Sequence, residues 1–170
     1  MIDIQDFRSA MARLGAAVNV ITTNGADGRF GMTASAVCSV SDDPATLLLC
    51  VNRNARMNGI LKANGRFAVN VLSARQEEFS RCFADSTLSM DERFGRCGPW
   101  HNMTGELPGL TGALAVFACT VASVTEVGTH SLFIGSVEQL LLGEEDEGLV
   151  YFGRRYHALR GAAMPQALSA

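Results

Sequence analysis

Arg53 and Arg56 stand three positions apart at the end of a segment whose first half carries unusually small side chains. Guanidinium forks match phosphate oxygens, so two of them beside the amides of Asn52 and Asn54 suit a phosphate. The segment that ends with them, residues 31–56, reads GMTASAVCSVSDDPATLLLCVNRNAR. Its first half interleaves Met32, Ala34, Ala36 and Val37 with Thr33, Ser35, Ser39 and Ser41. A strand that only filled a core would carry larger β-branched or aromatic residues there. Slim side chains at Thr33, Ala34, Ser35 and Ala36 leave peptide N–H and C=O groups open to the edge of a flat polar ligand.

Other chemistry-bearing residues are few. Of the histidines, His101 sits beside Trp100 and reads as surface, while His130 follows Gly128-Thr129 at a turn, where a barrel rim would admit a ligand. Tyr156-His157 follows Arg154-Arg155 near the end of the chain. No carboxylate pair, Ser-His-Asp set or Cys-His pair is legible. Five cysteines, an odd number with no CxxC spacing, indicate neither a disulfide framework nor a zinc site. They read as reduced thiols in a cytoplasmic protein, with Cys50 beside a ligand but not a nucleophile.

These groups need a scaffold. Asp42-Asp43-Pro44 is an acidic turn, and residues 46–51 form an almost continuous apolar run, read as a buried strand. Residues 4–14 have helical spacing at Ile4, Phe7, Ala10, Met11 and Leu14, which reads as surface packing. Residues 16–23 alternate as a strand, and Asn24 through Gly28 make a turn that hairpins it to the central stretch. Residues 57–63 read as a short helix stopped at Asn64-Gly65, with its N-terminus adding N–H groups near the arginines. Residues 66–72 alternate as a strand. Ser73 and Gln76 have capping-box spacing before a helix over 74–82.

Residues 103–110 read as a functional or partner-bound loop. Residues 112–127 are apolar on both faces, which predicts a strand buried on two sides, one of them by a second subunit. Residues 131–142 and 149–152 complete the strands, and the tail from Gly161 reads as loose. Six or seven strands with two or three short helices, joined mostly by turns, predict a mainly β, antiparallel barrel. No GxGxxG follows the first strand, which argues against a dinucleotide-binding α/β domain. No linker or repeat interrupts residues 1–170, so a single domain is expected.

At 48% hydrophobic the chain supports a real core, and no apolar run approaches the roughly 20 residues of a membrane span. The start, MIDIQDFRSAM, lacks a basic region followed by an apolar core, so no secretory signal is expected. A net charge of −3 argues against nucleic acid as partner.

The order TASAVCSVS, acidic residue and proline, then LLLCVNRNA resembles the short-chain flavin reductases. Asn70-Val71-Leu72, Phe83-Ala84, residues 90–94, Gly128-Thr129-His130 and residues 151–157 extend the resemblance across residues 7–159. It is closest to reductase partners of two-component flavin monooxygenases, such as those acting on 4-hydroxyphenylacetate or in pyrimidine breakdown. The corrin-cobalt reductases share the pattern. The resemblance implies a split β-barrel FMN-binding fold of Greek-key type, usually a homodimer. It implies hydride transfer from NADH or NADPH to FMN or FAD, with reduced flavin passed to a monooxygenase. Alternatives are a corrin reductase that keeps its flavin and a non-catalytic flavin carrier.

On this reading His130 lies near the nicotinamide as the catalytic residue, and Tyr156 and His157 border that side. Thr33, Ala34, Ser35, Ala36, Cys50, Val51 and Asn52 line the flavin, Phe83 packs against it, and Arg53, Arg56 and Ser39 hold its phosphate. The family often carries Gly-Asp-His where this chain has Gly128-Thr129-His130, although the monooxygenase-partner branch also has Gly-Thr-His. The threonine removes a carboxylate that could orient the imidazole.

Overall fold

The computed structural model describes residues 2–145 and 147–160. The expected loose tail lies outside the described residues. Helix α1 (Ile4–Met11) opens on Asp3, whose carboxylate accepts from the N–H of Gln5 and Asp6. Strands β1 (Ala16–Ala17), β2 (Asn19–Thr23), β3 (Phe30–Ala34), β4 (Val37–Asp42) and β5 (Ala45–Asn52) follow, then α2 (Arg56–Asn64), β6 (Arg66–Val71), α3 (Glu77–Ala84) and α4 (Met90–Arg96). The remaining strands are β7 (Trp100–Met103), β8 (Leu107–Leu110), β9 (Ala115–Val127), β10 (His130–Leu142), β11 (Glu147–Phe152) and β12 (Arg155–Arg160), with a 3-10 turn at Thr104–Glu106 between β7 and β8.

Seven strands form one antiparallel sheet in the order β3-β2-β6-β9-β10-β5-β4. Its two edge strands, β3 and β4, are joined by only Ser35 and Ala36. Three Cα steps span at most about 11 Å, whereas the edges of a flat seven-stranded sheet lie about 29 Å apart. The sheet must therefore roll until its edges meet at this connection. The slim stretch read as one strand is in fact two, broken where the roll closes. The segment expected to line a ligand thus lies at the seam.

Alternation along the rolled strands fills two cores. Ile21, Phe67, Val69, Leu49, Val51, Cys119 and Phe133 point inward, where Met57, Ile60 and Leu61 of α2 meet them. Val20, Ala68, Val116 and Ala118 point outward beneath Phe83, Phe94, Leu107, Leu110 and Leu149. On β9 the two halves differ within the single chain. Its first half is covered on both faces by its own chain, and residues 122–127 are exposed.

Three other segments differ from expectation. The supposed loop is a hairpin in which Trp100 pairs with Leu110 and Met103 with Leu107, with Met103, Leu107 and Leu110 buried. His101, expected at the surface, is half-buried, and its Nε2 is enclosed without a hydrogen-bond partner among the described residues. The segment from Arg155 to Arg160, after the Gly153-Arg154 turn, is also a strand, β12, paired with β11. Gln76 Oε1 accepts from the Ser73 N–H as expected, but residues 74–76 wind as a 3-10 turn before α3.

Candidate active site

Strand parity decides which predicted residues can meet a ligand. Leu47, Leu49 and Val51 turn into the inner core, so Leu48, Cys50 and Asn52 share the outer face. On β10 the register sets Leu132 opposite Cys50 and His130 opposite Asn52, extending that face. Val51, predicted in the site, is 1% exposed, and its carbonyl accepts from Asn58 Nδ2 at 3.2 Å. It is a core residue because the run 46–51 alternates in environment although it does not alternate in polarity.

Above this face lies a cleft of about 980 Å³, at the upper end of ligand-site volumes. Ser35, Ala36, Cys38 and Cys50 line it beneath Met11 and Arg8 of α1 and beside Tyr151 and Arg154. Among the described residues no hydrogen bond engages the N–H of Ser35 or Ala36, while the Ala36 carbonyl accepts from Cys50 N at 3.0 Å. Two free donors on a wall of small side chains fit the polar edge of a planar ring. Cys50 is held as a neutral thiol, its pKa raised by burial first and by the nearby Cys38 second. That suits a wall residue and not a nucleophile.

A smaller recess of about 150 Å³ shares Ser35 and Tyr151 with the cleft and adds Thr33, Ala34, Ser80 and Tyr156. Thr33 Oγ1 donates to the Ser80 carbonyl at 2.6 Å. Ser80 Oγ and Tyr156 Oη lie 2.9 Å apart, and the Tyr156 ring packs on Tyr151 with Arg81 over it. Thr33, Ala34, Ser35 and Tyr156 are thus brought together. His157, next on β12, points to the other side, and its Nε2 lies 3.1 Å from the Phe152 carbonyl. The structure does not bring it to the cleft.

Beyond Asn52, the Arg53 N–H donates to Thr129 O at 2.9 Å, tying the arginine segment to the turn before His130. Arg53 Nε lies 3.1 Å from Glu126 Oε2. Arg56 is the first residue of α2, exposed, with its guanidinium 5.4 Å from the Phe30 ring. Thr129 Oγ1 lies 2.9 Å from His130 Nδ1, so a hydroxyl stands where a carboxylate would orient the ring.

Two further predicted residues are elsewhere. Ser39 pairs with Leu47, six residues before Arg53 and so about 20 Å along the strand. It faces a separate cavity of about 440 Å³ at the seam, walled by Val69, Val71 and Phe117. Phe83 is 1% exposed and packed edge-on against Phe94 and Trp100, so its ring is a core element. Arg8 and Arg154 in the cleft wall were missed as site residues. Arg8 lies three residues before Met11 on one face of α1, and only the fold sets that face over the cleft.

The flavin reductase like domain model matches residues 11–160. The chain belongs to the flavin reductase-like family. Within it, the chain is 52% identical over 157 residues to the 4-hydroxyphenylacetate 3-monooxygenase reductase component of Pseudomonas aeruginosa, covering 92% of each. It is 46% identical over 158 residues to the FMN reductase (NADH) RutF of Serratia proteamaculans, covering 93% of this chain and 89% of that one. The solved structure of SgcE6, an NADH:FAD oxidoreductase of Streptomyces globisporus C-1027 in complex with NAD and FAD fragments, matches with a TM-score of 0.84. Identity there is 33%, covering 98% of both chains. The mainly β split barrel implied by the family resemblance is the fold of this flavin reductase-like chain.

Proposed function

We propose that this protein is an NADH-dependent flavin reductase that supplies reduced FMN or FAD to a partner monooxygenase. The observation that carries the site is the free Ser35 and Ala36 N–H pair in the cleft wall, with Cys50, Asn52 and His130 continuing along one face. When bound, the flavin supplies the redox chemistry, accepting a hydride from the dihydronicotinamide. The chain supplies position and electrostatics. Ser35 and Ala36 offer N–H donors to the ring edge, Arg53 and Arg56 attract the phosphate, and His130 orients the nicotinamide.

The 52% identity to a monooxygenase reductase component supports the partner, and the 46% identity to an NADH-dependent FMN reductase supports the nicotinamide. We place the protein in the cytoplasm, as one domain that pairs with a second copy. α1 leaves Ile4 59% and Phe7 54% exposed, an apolar face that a homodimer covers. No helix among the described residues is long and apolar enough to cross a membrane.

The test is anaerobic NADH oxidation with FMN, FAD and riboflavin in turn. Bleaching of the flavin with matching NADH loss is expected. A protein that retains flavin on gel filtration without bleaching it is a carrier, and the proposal fails.

A further inference from the structure

The Glu126 carboxylate, near the end of β9, is the hub of a network of which the proposed reaction uses only Arg53. Arg53 Nε lies 3.1 Å from one oxygen, and Lys62 Nζ donates to the other at 2.6 Å. Ser131 Oγ donates to both at 3.0 and 2.9 Å. Ser131 is fully buried, and its hydroxyl carries a single proton. Asn58, itself 3% exposed, donates to Ser131 Oγ at 2.8 Å and to Val51 O at 3.2 Å. The amide fills the acceptor side of the hydroxyl and so directs its proton to Glu126. Hydrogen bonds from Lys62 and Ser131, with the charges of Lys62 and Arg53, lower the Glu126 pKa and keep it anionic at neutral pH.

Arg53 is therefore held before any ligand arrives. One arm reaches Glu126, another donates to Gly128 O at 3.4 Å, and the backbone is tied to Thr129. The Arg53 side chain is about half exposed, so this ion pair is weak and exchangeable. If Arg53 leaves, Glu126 keeps Lys62 and Ser131, and its charge stays compensated. The exchange strands no buried charge.

We propose that Glu126 competes with the flavin phosphate for the Arg53 guanidinium, holding affinity low enough for reduced flavin to leave. This rests on the reading above that Arg53 meets the phosphate. Glu126 is a positioning residue, and it makes flavin a passing substrate and not a fixed group. Its effect belongs to phosphorylated flavins and spares riboflavin.

The experiment is a fluorescence titration of FMN and of riboflavin into wild type, Glu126→Gln, Arg53→Gln and the double variant. Glu126→Gln binds FMN about two- to fivefold more tightly, the upper range of one exposed charge pair. Riboflavin binding is unchanged, and the gain vanishes when Arg53→Gln is also present. Unchanged or weaker FMN binding in Glu126→Gln overturns the proposal. So does an equal gain for riboflavin, or a gain that survives Arg53→Gln. Wild-type NADH oxidation is measured separately: its absence sinks the reductase reading whatever the titrations give.

Discussion

His130 and Asn52 are direct partners in the β5–β10 ladder, on the face that continues the cleft from Cys50. The ring is oriented by the Thr129 hydroxyl at 2.9 Å. On the function proposed above, His130 meets the nicotinamide and not the flavin. His130→Ala should lower kcat/KM for NADH about tenfold, near the 1–1.5 kcal/mol of one net hydrogen bond, and leave flavin affinity unchanged. Steady-state NADH oxidation with a parallel flavin titration checks both halves.

Arg56 begins α2 with no acidic residue in the first turn, and Ala55 offers no side-chain cap. The helix end and the guanidinium therefore add their positive potential without local competition. Arg56→Ala should weaken FMN binding by about 1.5–3 kcal/mol, the scale for a hydrogen bond to a charged group. Riboflavin should bind as before. Equal FMN affinity in the two proteins would remove Arg56 from the site.

The cysteines sort by burial. Cys97 has its pKa pushed up to about 12 by burial first and by the neighbouring Cys82 second. Cys119 is also pushed up to about 12, by burial and then by Glu138. Cys38 is exposed. Ellman's reagent near pH 8 should modify Cys38 quickly and reach Cys97 and Cys119 only on unfolding. A raised thiol pKa favours the folded state fully below the unfolded value of 9.0. As pH climbs from there toward about 12 the unfolded chain loses protons first, so stability should fall. Urea midpoints across that window give the sign.

Gly31 lies on β3 against the outer core. A Cβ there would sit 2.5 Å from Phe83 Cε1 and 2.9 Å from Cδ1. Phe83 is boxed in by Phe94 and Trp100 and cannot retreat. Gly31→Ala should cost about 1–3 kcal/mol, as overpacking does. Phe83→Leu in the same background should recover part of it. Urea denaturation of the two variants makes the comparison.

The hairpin into β3 and the buried run of β5 were legible because turn residues and apolar runs mark them locally. The break at Ser35-Ala36 was not, because small residues alternate straight through it and only closure of the sheet demands a kink. β7–β8 was hidden by Pro108-Gly109, which reads as loop. A proline is admissible there because the two-stranded ribbon is all edge. β12 was hidden by its charge, and its entry turn uses Arg154 at φ 64°, an unusual residue for that conformation. At the site, residue types pointed to Thr33–Ala36, Cys50 and Tyr156, all of which reach the cleft or its recess. Val51 and Ser39 were misplaced because a continuous apolar run does not reveal parity, and sequence nearness does not measure distance along a hairpin. Phe83 fitted either a core or a ligand face, and packing chose the core.

Asn70 carries the last prediction. It is fully buried on β6 and joins three segments far apart in the chain. Its Nδ2 donates to Val20 O at 2.9 Å and to Thr22 Oγ1 at 3.2 Å, and its Oδ1 accepts from Leu110 N at 2.7 Å. Thr22 Oγ1 in turn donates to Pro108 O at 2.6 Å. The β7–β8 hairpin is thus pinned to the sheet by polar bonds inside an apolar layer. Asn70→Ala leaves the Leu110 N–H buried without an acceptor, at about 1–3 kcal/mol for that group alone. The hairpin should loosen before the barrel does. Hydrogen exchange should therefore speed up at Leu110 and Met103 while the amides of Leu49 and Phe133 stay protected. Uniform acceleration across both groups would mean that Asn70 stabilises the whole fold and does not act as a local pin.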